Sequence, residues 1–64
     1  MADIAKMRER ARYFREQSVW LREAGSKIGG NDAALKQRFF ELAQECEAIA
    51  GKIDRNIDTG VHSA

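Results

Sequence analysis

Stripe positions recur through this chain in alternating steps of three and four, in two runs separated by a pair of adjacent glycines. The first run is Ile4, Met7, Ala11, Phe14, Ser18, Leu21, Gly25 and Ile28. The second is Leu35, Phe39, Leu42, Cys46, Ile49, Ile53 and Asn56. Such spacing marks one face of an α-helix, with these residues at the a and d positions of a heptad. No stretch alternates with period two, so no strand competes for either segment. Pro is absent from all 64 residues, so nothing in either run forbids continuous helix.

The break falls at Gly29-Gly30-Asn31-Asp32. Two glycines cost a helix roughly 1 kcal/mol each relative to Ala. Asn31 or Asp32 can then accept a hydrogen bond from a free amide of the next helix, and an Asp suits the positive end of the helix dipole. The spacing predicts an all-α fold, an antiparallel two-helix hairpin. Helix one covers about residues 3–28, fraying from Gly25, the loop 29–31, and helix two about 32–58, with Gly60 able to close it. Residues 59–64 read as a disordered tail. Each helix is about 39 Å long at 1.5 Å per residue, and equal lengths with a short loop favour the hairpin.

Composition excludes several functions. Eleven Lys and Arg oppose ten Asp and Glu, a net charge of +1 that makes no bulk polyanion binder. One Cys cannot form an internal disulfide, and one Cys with one His cannot build an all-protein zinc site. Apolar runs such as Val19-Trp20-Leu21 fall far short of the 18 or so residues that span a membrane. The start, Met1 to Lys6, lacks the apolar core of a signal peptide, so a cytoplasmic, reducing setting is expected.

No catalytic, cofactor-binding or metal-binding residues are expected. Cys46 falls on the apolar stripe, where a small buried thiol is inert. His62 lies beyond the last expected helix. Glu41, Glu45 and Glu47 lie off the stripe with no accompanying His, unlike a di-metal bundle. Gly29-Gly30 lacks the Lys and Ser/Thr of a phosphate loop.

A two-helix hairpin buries little surface, and small scaffolds need a disulfide, a metal or a partner. With the first two excluded, a partner is expected. Ala43 and Ala50 at e, then Ile57, widen the apolar face of helix two, with Phe40 beside them at b. Helix one carries Tyr13 and Trp20 at c and Ala24 at g. These shoulders predict a two-fold dimer forming a four-helix bundle, with Phe40, Ala43, Ala50, Ile57, Trp20 and Ala24 at the interface. The same shoulders could instead dock a helix from a different protein, as an adaptor.

Charge offers a further reading. Arg-Glu recurs at Arg8-Glu9, Arg15-Glu16 and Arg22-Glu23, a helix-surface rhythm. Residues 1–30 hold seven basic and four acidic side chains, and residues 31–64 four basic and six acidic, or +3 against −2. Basic helix one flanking acidic helix two would set pairing and solubility. Arg12, Tyr13, Arg15 and Gln17 are also the residue types of an RNA-binding face, with charges for phosphates and an aromatic for stacking.

Ala11-Arg12-Tyr13-Phe14-Arg15-Glu16-Gln17-Ser18 resembles the first helix of the Rop family of plasmid copy-number regulators. The resemblance covers eight residues and implies a hairpin that dimerises into a four-helix bundle and binds paired RNA loops through its first helices. Tyr13 and Gln17 would take the places of the Phe and Gln of that family's RNA face. Glu9 and Ala24 stand where it has Asn and Lys. Phe39 to Ala50 is similar to the endings of many short bacterial hairpins, which implies a bacterial origin and no particular activity. The reading reached from sequence is a small non-enzymatic bacterial interaction or regulatory protein that self-associates.

Overall fold

A computed structural model describes residues 3–62, with side chains described through Thr59. Two helices, α1 (Ile4–Lys27) and α2 (Ala33–His62), pack antiparallel, and no strand occurs among the described residues. The all-α hairpin expected from the spacing is the observed fold. Asp3 caps α1: its carboxylate accepts a hydrogen bond from the Lys6 amide at 3.3 Å, one of the amides a helix start leaves unpaired. Lys27 lies in the last turn of α1, where a cation suits the negative end of the helix dipole.

The connection differs in detail from the expected loop. Ile28 and Gly29 are extended, and Gly30–Asp32 form a 3-10 turn closed by the Asp32 amide on the Gly29 carbonyl at 3.0 Å. Asn31 and Asp32 thus belong to that turn, and α2 begins at Ala33. At the far end α2 continues past Asp58 to His62, so Gly60 does not close it. No Pro interrupts this stretch, and the Thr59 hydroxyl donates back to the Arg55 carbonyl at 2.8 Å within the helix. The part of the expected tail at residues 63–64 lies outside the described residues.

The hairpin is long and thin, 52 × 15 × 12 Å, with a Cα radius of gyration of 15.0 Å. A globular domain of this length would have a radius near 11 Å. Its seam is built from small side chains. Ala11, Ser18 and Gly25 are the buried residues of α1, spaced by seven; Ala43, Ala50 and Ile57 are those of α2 among its described side chains, also spaced by seven. Short side chains let the helix backbones approach closely. At Gly25 the approach is closest to limiting, because a Cβ there would stand 3.1 Å from Phe40 Cε1 and 3.2 Å from Phe39 Cβ.

This seam corrects the expected one on α2. On α1 the a stripe from Ala11 to Gly25 does face the partner helix. On α2 the seam is centred on the e positions, and Leu35 and Ile49 of the expected stripe are 49% and 40% exposed. Helix α2 is therefore turned so that its smallest residues meet those of α1. The larger Phe39, Leu42, Cys46 and Ile53 are left half-buried at the flank. Among the described residues no large side chain is fully buried.

Candidate interaction surface

Seating α2 on its alanines gives the hairpin two unlike broad faces. One carries an ion-pair ladder. Arg22 Nε donates to Glu47 Oε1 at 3.1 Å and Arg22 Nη2 to Glu47 Oε2 at 2.9 Å, a bidentate pair. The Ser18 hydroxyl, buried in the seam, donates to Glu47 Oε1 at 3.2 Å. One heptad along each helix, Arg15 pairs with Asp54. The Arg22 hydrogen bonds hold the Glu47 carboxyl below its ordinary pKa, against the opposing effect of burial, and the Ser18 bond adds to the lowering. These pairs sit at matching heptad positions on antiparallel helices, so they also define the register.

The other broad face is apolar. Leu35, Leu42 and Ile49 run along α2 at seven-residue spacing, with Phe39, Cys46 and Ile53 half-buried beside them. From α1, Trp20 leans across: its ring centroid lies 6.5 Å from that of Phe39, with the planes 32° apart. Trp20 is 58% exposed. Tyr13 continues the line one heptad earlier, its ring edge-on to Phe14 at 5.5 Å. The sequence pattern concealed the exposure of Leu35 and Ile49, because stripe membership made them look buried.

The residues expected between two copies are redistributed. Ala43, Ala50 and Ile57 are 0%, 1% and 6% exposed inside a single hairpin. They have no surface left to offer a second chain unless the hairpin opens. Phe40 is half-buried with its ring over Gly25, and Ala24 is half-buried beside the seam. Only Trp20 of the six keeps a large exposed surface.

The residues singled out for RNA contact do not share a face. At about 100° per residue, Arg12 and Arg15 project to one side of α1 and Tyr13 and Gln17 to another. Arg12 Nε bonds Glu16 at 3.2 Å, Arg15 is held by Asp54, and Gln17 is half-buried. The open depression beside Arg12, Arg15, Glu16 and Val19 lies between side chains of one helix. Among the described residues, no three His, Cys, Asp or Glu side chains stand together to hold a metal, and no helix is long and apolar enough to cross a membrane. Comparisons with protein-family models, curated proteins and solved structures find no match to this chain.

The surface of the hairpin is large for its mass. It exposes 5088 Å². A compact monomer of 7.2 kDa exposes about 4,100 Å², so the surplus is about 1,000 Å². A standard protein interface covers about 800 Å² on each partner. The surplus is thus of the size that one docked partner removes.

Proposed function

We propose that this chain works by binding and not by catalysis, and that its first partner is a second copy of itself. Two hairpins join through their apolar broad faces into a four-helix bundle, in a regulatory or scaffolding role. The observation that carries this proposal is the absence of any fully buried large side chain among the described residues, beside an apolar face that includes exposed Trp20, Leu35 and Ile49. Stacking two such faces turns half-buried Phe39, Leu42 and Ile53 into a shared core, which the hairpin by itself lacks. A second copy always has the matching face and closes the assembly by a two-fold axis. A reducing, cytoplasmic setting goes with this role, since Cys46 has no second cysteine in the chain.

The test is light scattering on the size-exclusion peak, with absorbance at 260 and 280 nm. The expected species is a dimer of about 14 kDa, twice the 7.2 kDa chain, free of nucleic acid. The Trp20→Glu/Ile49→Glu variant should become monomeric, because burying unpaired charge costs several kcal/mol. A fully helical wild-type monomer at high micromolar concentration would refute self-association and leave the face for a helix of another protein. RNA that co-purifies and leaves in high salt would instead favour the role implied by the Rop resemblance.

A further inference from the structure

The reversal of the chain is held in the backbone of two residues. Ile28 has φ −71° and ψ 132°, and Gly29 has φ −67° and ψ 157°. Both φ values already suit an α-helix, so only the two ψ angles depart from it. The chain is helical on either side: α1 reaches Lys27, Gly30–Asp32 form the 3-10 turn, and Ala33 has φ −56° and ψ −38°. No described residue has a positive φ. Little holds the connection in place. The turn touches α2 but not α1, and a Cβ at Gly29 or Gly30 would meet nothing within 4 Å. Rotating ψ at Ile28 and Gly29 therefore joins the two helices into one, from Ile4 to His62.

Such a straight helix keeps its seam. Gly25 and Ala43 would stand five full turns apart and point the same way, at about 3.6 residues per turn. The six buried seam residues, Ala11, Ser18, Gly25, Ala43, Ala50 and Ile57, then fall in a band about 80° wide. Seven-residue spacing drifts by about 20° per heptad on a straight helix, and the longer step across the connection resets the phase. Arg15, Arg22, Glu47 and Asp54 all lie to one side of the midline of that band.

We propose that Ile28 and Gly29 form a hinge, and that the chain exchanges helices with a second copy of itself. In the exchanged dimer each chain is one straight helix. Helix α1 of each packs on α2 of the other, and the two-fold axis passes beside the connection. A second α2 is the occupant because α2 is the surface that α1 already fits. Gly25 against Phe39 and Phe40, Arg22 to Glu47 and Arg15 to Asp54 are then made between chains instead of within one. The same register, continued through the middle, sets Asp32 of each chain beside Lys36 of the other, opposite charges meeting at the axis. Because closed and exchanged forms share their seam contacts, protein concentration shifts the balance between them. The apolar broad face lies along one side in both forms, so the exchange does not depend on pairing through that face.

The experiment follows one distance within a chain. Glu16 and Lys52 are exposed and lie next to the Arg15–Asp54 pair. A Cys46→Ala/Glu16→Cys/Lys52→Cys chain carries two nitroxides, and an excess of unlabelled chain keeps labelled chains apart. The mixture is unfolded by heat, refolded at micromolar or millimolar concentration, checked by circular dichroism, and measured by pulsed electron-spin methods. The closed hairpin places the labels within about 30 Å, one helix spacing plus helix radii and label arms. In a straight helix the same two positions are about 54 Å apart. The short distance is expected at micromolar concentration, and both distances at millimolar. Gly29→Pro should keep the short distance throughout, because φ at Gly29 suits Pro, Ile28 is already extended, and Pro breaks a straight helix there. Gly29→Ala/Gly30→Ala favours helix by about fivefold per position, and should lower at least tenfold the concentration at which half the chains show the long distance. A short distance alone in that variant at millimolar concentration overturns the exchange; a dimer by light scattering in the same sample leaves pairing through the apolar faces standing. A long distance that persists in Gly29→Pro overturns the assignment of the hinge to these two residues.

Discussion

Glu47 on α2 receives the Arg22 guanidinium of α1 through two hydrogen bonds, at 3.1 and 2.9 Å, and shares one of its oxygens with the buried Ser18 hydroxyl. Two side chains of α1 thus converge on one carboxylate of α2 at the edge of the seam. The arrangement requires that carboxylate to be charged. Its pKa in the folded chain lies below the ordinary 4.5, first because of the Arg22 hydrogen bonds. Stability from this source is therefore complete above pH 4.5 and is lost as pH falls through the lowered folded value. Glu47→Gln should flatten the acid limb of the stability curve, measured by thermal unfolding from about pH 7 down to pH 3. An acid limb unchanged in Glu47→Gln would show that other carboxylates carry it.

Gly25, in the last turn of α1, and Gly29, in the connection, should respond to alanine with opposite sign. Gly29 and Gly30 have negative φ and open space around them, so Gly29→Ala should raise stability by about 0.4–1 kcal/mol through the unfolded chain. Gly25→Ala gains a similar helix propensity but drives its Cβ against Phe40 Cε1 and the unyielding Phe39 Cβ. Overpacking of this kind costs typically about 1–3 kcal/mol, so a net loss of about 1 kcal/mol is expected. Denaturant melts of the two variants decide it, and a stabilised Gly25→Ala would mean that the helices can separate there at no cost.

Ala43 and Ala50 test which contact the small residues serve. Ala50→Leu should destabilise by about 1–3 kcal/mol, because the added side chain has no space between α1 and α2. Loss of an intrachain contact appears in every hairpin, whether monomeric or paired. Unfolding at several protein concentrations should therefore show the same decrement for Ala50→Leu, whereas Trp20→Ala should show a decrement that depends on concentration. A concentration-dependent penalty at Ala50 would put that residue between chains.

The two arginines of α1 nearest its middle differ in consequence. Arg15 joins the helices through Asp54, with both side chains about half exposed. Arg15→Ala should cost up to about 1 kcal/mol at low salt and less at high salt. Arg12 only meets Glu16 on its own helix, with 82% of its side chain exposed, and Arg12→Ala should stay within about 0.5 kcal/mol. Chemical denaturation at two ionic strengths, with urea as the uncharged denaturant, separates the pair. Equal effects would remove the register role assigned to Arg15–Asp54.

The 3–4 spacing from Ile4 to Ile28 and from Leu35 to Asn56 determined two helices, and Gly29-Gly30 determined where the chain turns, because both are local properties of a backbone with no Pro. The a stripe of α1 was legible for the same reason: Ala11, Ser18 and Gly25 lie on the face that the periodicity marks. Which side of α2 meets α1 was decided only in three dimensions. Hydrophobicity points to Leu35, Leu42 and Ile49, but backbones approach most closely where side chains are smallest, so Ala43 and Ala50 took the seam opposite Ala11, Ser18 and Gly25. That rotation aligned Arg15 with Asp54 and Arg22 with Glu47, at heptad spacings present in both helices but meaningful only as pairs. It also left Leu35 and Ile49 exposed, on the side of the hairpin where Trp20 meets Phe39.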